Sequence, residues 1–76
     1  SGTVLAANVL RIGCTIQNDD VNALLLKYGA TASATSYTVN IPGGGYWEMP
    51  WPIYRGILDG IWLADGAGSA RVTELT

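Results

Sequence analysis

The stretch "LRIGCTIQNDDVNALLLKYG", residues 10–29, decides the fold. In its first seven residues Leu10, Ile12, Cys14 and Ile16 alternate with Arg11, Gly13 and Thr15. A period of two puts the apolar set on one face of a strand and assigns Leu10 and Ile12 to the core. "QNDDVN" follows, and because Asn and Asp side chains satisfy nearby backbone groups it reads as a turn closing a first hairpin. In "ALLLKYG" Leu24, Leu26 and Tyr28 share a face, and the run between Asn22 and Gly29 is too short for a stable helix.

Further along, the same alternation recurs between breakers. "ATASATS" has no apolar stripe and reads as a loop. "YTVNI" directs Tyr37, Val39 and Ile41 inward until Pro42 and three glycines end it. "YWEM" is a short strand, and "GIWLA" and "ARVTEL", joined by "DGAGS", read as a last hairpin, with Val72 in the core. The expected fold is all-β, a small antiparallel β-sandwich or barrel of five to six short strands. Residues 1–8, "SGTVLAAN", have only Val4 and Leu5 as apolar anchors, and two readings stand equal: an extended N-terminal arm that can add a strand to a neighbouring sheet edge, or a disordered or self-docked terminus. Residues 9–76 then form a single β-sandwich domain.

Seventy-six residues hold one core, and a chain of this size buries so little surface that a disulfide, a metal or a partner usually supplements it. Cys14 is the only cysteine and histidine is absent, so an internal disulfide and a structural zinc site are excluded. A partner subunit remains. The net charge is −2, and the four basic residues, Arg11, Lys27, Arg55 and Arg71, are scattered, unlike the clustered basic face that binds nucleic acid. Charged residues are 13% and apolar ones 49%, a low charge for a small free monomer. With no apolar run long enough to span a bilayer and no leader pattern at the start, neither a membrane partner nor export is expected.

All three prolines, two of the three tryptophans and two of the four tyrosines lie in "IPGGGYWEMPWPIYRG", residues 41–56. Pro50 and Pro52 hold Met49 and Trp51 extended, which makes a stiff aromatic ridge. Three readings compete for it: aromatics that close the end of the sandwich, a protein interface, and a sugar platform with Glu48, Asn40 or Arg55 beside the rings. An interface is favoured because pre-ordered aromatic and Met side chains contribute much contact area at little entropic cost. Its candidate residues are Val4, Leu5, Trp47, Met49, Trp51, Ile53, Tyr54 and Arg55.

Chemistry has little to work with. The carboxylates Asp19, Asp20, Asp59 and Asp65 all sit in turn signals, "DGAG" at 65–68 lacks the oxygens of a calcium loop, and "PGGG" lacks the lysine and helix of a phosphate loop. Cys14, in an apolar run, reads as a buried hydrophobe. No enzyme, cofactor, catalytic residue or metal is expected.

The segments "LRIGCTIQN", "LLLKYGATASAT", "IPGGGYWE" and "YRGILDGIWLADGAGSARVTE" together resemble the small β-structured accessory proteins on the virions of tailed bacteriophages. The matching positions include Gln17, Asn18, Tyr28, Gly29, Pro42, Gly43, Trp47, Glu48, Trp62, Gly68 and Glu74, and the likeness spans residues 10–74. The "MPWP" segment and the leading arm depart from it. The resemblance implies a structural virion protein, a decoration or cement protein on the capsid exterior. It would form a homotrimer and dock on the major capsid protein or another virion protein. The alternative is a virion-surface carbohydrate-binding module or a knob or fibre-base component.

Overall fold

A computed structural model describes residues 2–64 and 69–76. Seven strands are found among them: β1 (Gly2–Leu5), β2 (Gly13–Asn18), β3 (Leu24–Tyr28), β4 (Val39–Ile41), β5 (Tyr46–Glu48), β6 (Leu58–Trp62) and β7 (Ala70–Leu75). They form a four-stranded sheet in the order β1-β6-β3-β4 and a three-stranded sheet in the order β5-β2-β7, with every pairing antiparallel. The protein is an all-β sandwich. Residues 2–5, within the segment read as an arm or a self-docked terminus, are the edge strand of the larger sheet, paired with β6 of the same chain.

The two expected hairpins are not formed. β2 and β3 lie in different sheets, as do β6 and β7, so "QNDDVN" carries the chain across the sandwich, and β3 with β4 is the single pair adjacent in sequence among the described strands. Buried Asn18 explains the first crossing. Its amide Nδ2 donates to the carbonyls of Asn22, Ile41 and Pro42, and its Oδ1 accepts from the Asp20 backbone, tying the end of β2 to the turn after β4. At that turn Gly43 lies so close to the Val21 carbonyl that a Cβ would collide with it. The "DGAGS" loop of the second expected hairpin, with its Asp65 and Gly68, falls largely on residues 65–68, outside the described residues.

Between the sheets Cys14, Ile16, Leu24, Leu26, Ile41, Met49 and Leu58 form the core, flanked by half-buried Val4, Leu5, Trp47, Trp62 and Val72 among others. The alternation of β2 begins at Gly13, three residues later than the sequence pattern implies. Residues 8–11 turn instead, with Arg11 N–H donating to the Asn8 carbonyl and Leu10 N–H to Asn8 Oδ1. That turn leaves Leu10 70% and Ile12 63% exposed while Arg11 is fully buried, a reversal of the expected facing. Tyr37 is also exposed, because β4 starts only at Val39.

Gly60 shows why β6 can accept β1: a Cβ there would press on Val4 and Leu24, so its absence lets Val4 settle toward the core. On the outer face of the larger sheet Leu25, Ala32 and Asp59 are buried as well. The connection 29–38 folds over them. The Ala32 N–H donates to Asp59 Oδ2 at 2.7 Å and Lys27 Nζ to Ser36 Oγ at 2.7 Å. Asp59 therefore lies inside a strand, not in the turn its sequence neighbours imply.

The displaced start of β2 makes two isoleucines four residues apart differ in energetic weight. Ile16→Ala is expected to destabilise the chain by ~2–5 kcal/mol, through lost transfer energy and a cavity. Ile12→Ala should change stability by less than about 0.5 kcal/mol, as exposed substitutions do. Urea denaturation of both variants measures the contrast.

Candidate interaction surface

Arg11 holds one end of the sandwich together. Its Nε donates to Glu74 Oε2 at 2.7 Å, Nη1 to the carbonyls of Tyr54 (2.8 Å) and Gly56 (3.0 Å), and Nη2 to the Ala6 carbonyl at 2.7 Å. The Arg11 carbonyl in turn accepts from Arg55 Nε at 2.9 Å. Asn8 completes the arrangement, its amide donating to Glu74 Oε1 and its backbone N–H to the Arg55 carbonyl. One guanidinium thus joins the segment after β1, the proline-rich connection and β7. The planar fork of five N–H groups suits this task, which a lysine ammonium could not span.

The electrostatics follow from the geometry. Hydrogen bonds from Arg11, and then from Asn8, hold the Glu74 carboxyl below its ordinary pKa. Burial pushes the Cys14 thiol up, away from the thiolate needed for reactivity. Among the other carboxylates Asp19 pairs with exposed Arg71 at 2.6 Å, and Asp20 is buried with Oδ1 accepting the Val21 N–H. Among the described residues no three metal-ligating side chains gather.

The candidate residues divide by exposure. Met49 belongs to the core and donates its N–H to the Cys14 carbonyl. Val4 and Leu5 in β1, Trp47 in β5, and Ile53 are half-buried and pack against the same core. Tyr54 stacks on Tyr28 with ring centroids 4.5 Å apart and planes 5° from parallel, and Trp47 meets Tyr28 edge-on at 6.3 Å. Arg55 is exposed. Trp51, between two prolines, is 83% exposed.

Sequence reasoning missed most of the apolar surface around this end. Val9, Leu10, Ile12, Ile57 and Leu75 are exposed. Each is chain neighbour to a residue of the Arg11 network: Asn8, Arg11 itself, Gly56 or Glu74. Ile12 N–H also donates to the Leu75 carbonyl, which brings two of them together. The signal that could have found this end is an arginine inside an apolar run, with Asn8 and Glu74 available as its partners. Elsewhere, a cleft of about 600 Å³ opens between the sheets, lined by residues 2–4 of β1, Leu24, residues 60–62 of β6, and Ala70 and Val72.

Because the Glu74 pKa is lower folded than unfolded, its contribution is present above the unfolded value, about 4.3, and is lost as pH falls through the depressed folded value. Glu74→Gln should therefore lower stability near neutrality and flatten the loss of stability in acid. Denaturation midpoints measured between neutral pH and pH ~3 test this, and an unchanged acid slope would remove Glu74 as its source.

No protein family model, characterised protein or solved structure matches this chain.

Proposed function

We propose that this chain is a non-enzymatic structural protein of a virion, a decoration or cement protein that oligomerises on the capsid exterior and bridges capsid subunits. The observation that carries the reading is the exposed Trp51 between Pro50 and Pro52, on a connection whose following residues, Tyr54 and Gly56, are fixed by Arg11. Exposed aromatic anchors on pre-ordered backbone are the residues that dominate protein contacts, since little freedom remains to be lost on docking. The apolar surface at Val9, Leu10, Ile12 and Leu75 adds area suited to the same purpose. The resemblance of residues 10–74 to phage virion accessory proteins supplies the partner, the major capsid protein or another virion protein, and the homotrimer.

A protein that binds only the assembled shell stabilises it by mass action, so decorated capsids should resist heat better than bare ones. A second reading, a virion-surface carbohydrate-binding module or fibre-base component, is favoured by the open ring of Trp51. Binding on a glycan array without binding to capsids would select it.

Trp51→Ala should weaken capsid binding by ~2 kcal/mol or more while leaving the melting temperature of the isolated chain nearly unchanged. Calorimetry of the free protein and of capsids with and without it separates the two effects. Equal capsid stability with wild-type and bare shells would defeat the cement role.

A further inference from the structure

Among the described strands four stand at a sheet edge: β1, β4, β5 and β7. Three of them are blunted in ways that prevent edge-to-edge pairing. β1 is broken by an irregularity between Thr3 and Leu5. β4 and β5 have three residues each, and Pro42 follows one while Pro50 closely follows the other. β7 has none of these protections. It is six residues long, pairs in unbroken register with β2, and contains neither proline nor lysine.

The direction of its backbone groups is fixed by the ladder. Asp19 N–H donates to the Ser69 carbonyl and Ile12 N–H to that of Leu75, so the odd-numbered residues of β7 face β2. The N–H and C=O groups of Ala70, Val72 and Glu74 therefore point away from β2. Ala70 and Val72 of this strand also line the cleft of about 600 Å³ between the sheets.

We propose that this edge pairs with β7 of a second copy of the chain, antiparallel about a two-fold axis through Val72, so that the two three-stranded sheets become one of six. Charge and the matching of Val72 select the register. Centring on Glu74 or on Arg71 would set like charges directly opposite, which destabilises a pair, and centring on Ala70 leaves most of the strand unpaired. A register centred on Thr73 sets the Glu74 carboxylate against Val72. The Val72 register instead places Val72 against Val72 of the second copy, Ala70 against Glu74, and Arg71 against Thr73. Val72 then meets Val72, the Glu74 carboxylate lies against the smaller Ala70 instead of Val72, and no like charges oppose. This contact is isologous and closes after two copies, so it is distinct from the trimer contact and does not rest on the virion reading.

Thr73 is exposed, so its substitution probes the contact without disturbing the core. Sedimentation equilibrium from micromolar to millimolar concentration should show a species of twice the 8.0 kDa chain mass. Thr73→Glu, placed opposite Arg71 of the second copy, should strengthen association several-fold, and Thr73→Lys should weaken it several-fold. Amide exchange at Val72 should slow as concentration rises. Overturning results are a chain that stays monomeric at millimolar concentration, a trimer indifferent to both changes, or equal weakening by both. A Val72 amide protected only on purified capsids would overturn the second copy as the occupant.

Discussion

A buried guanidinium must be compensated on every side, and that constraint organises one whole end of this molecule. Arg11 is 0% exposed and has no apolar alternative to its partners, so the carbonyls of Ala6, Tyr54 and Gly56 and the Glu74 carboxylate must converge on it. Three segments distant in sequence thereby acquire fixed relative positions. The proline-rich connection is irregular, yet it is held at Tyr54 and Gly56 by Arg11 and at Met49 by the Cys14 carbonyl. In a domain with a small core, such directed polar bonds supply a specificity that apolar packing alone does not.

The same convergence governs what the surface presents. As Arg11 turns inward, Leu10 and Ile12 are forced outward, so the burial of a charge and the exposure of apolar side chains are two sides of one local turn. Surface made this way sits on backbone that is already ordered. Contact with a partner then loses little conformational entropy, which suits a binding role better than a flexible tail of equal composition would.

Period-two patterning made the class of the fold and most strands legible, because facing follows directly from alternation. Pairing was not legible. Alternation says which residues share a face but not which strand lies alongside, and the turn chemistry of "QNDDVN" fits a crossing between sheets as well as a hairpin. Leu10 and Ile12 were misread because the pattern extends unbroken through a turn initiated by Asn8. The burial of Arg11 was hidden because charge ordinarily marks the outside, and its partners lie far away in sequence. At the aromatic segment, stiffness was readable from the prolines. The division between Met49, which lies inward, and Trp51, which lies outward, depends on where Cys14 comes to rest.

The order in which strands alternate between layers bears on how the chain is made. β2 is the middle member of its sheet, yet both neighbours, β5 and β7, come later in the sequence. During synthesis from the N-terminus, the early strands wait without their partners. The larger layer is complete only once β6 has emerged and the smaller only once β7 has. Acquisition of structure is accordingly governed by contacts between strands distant in sequence.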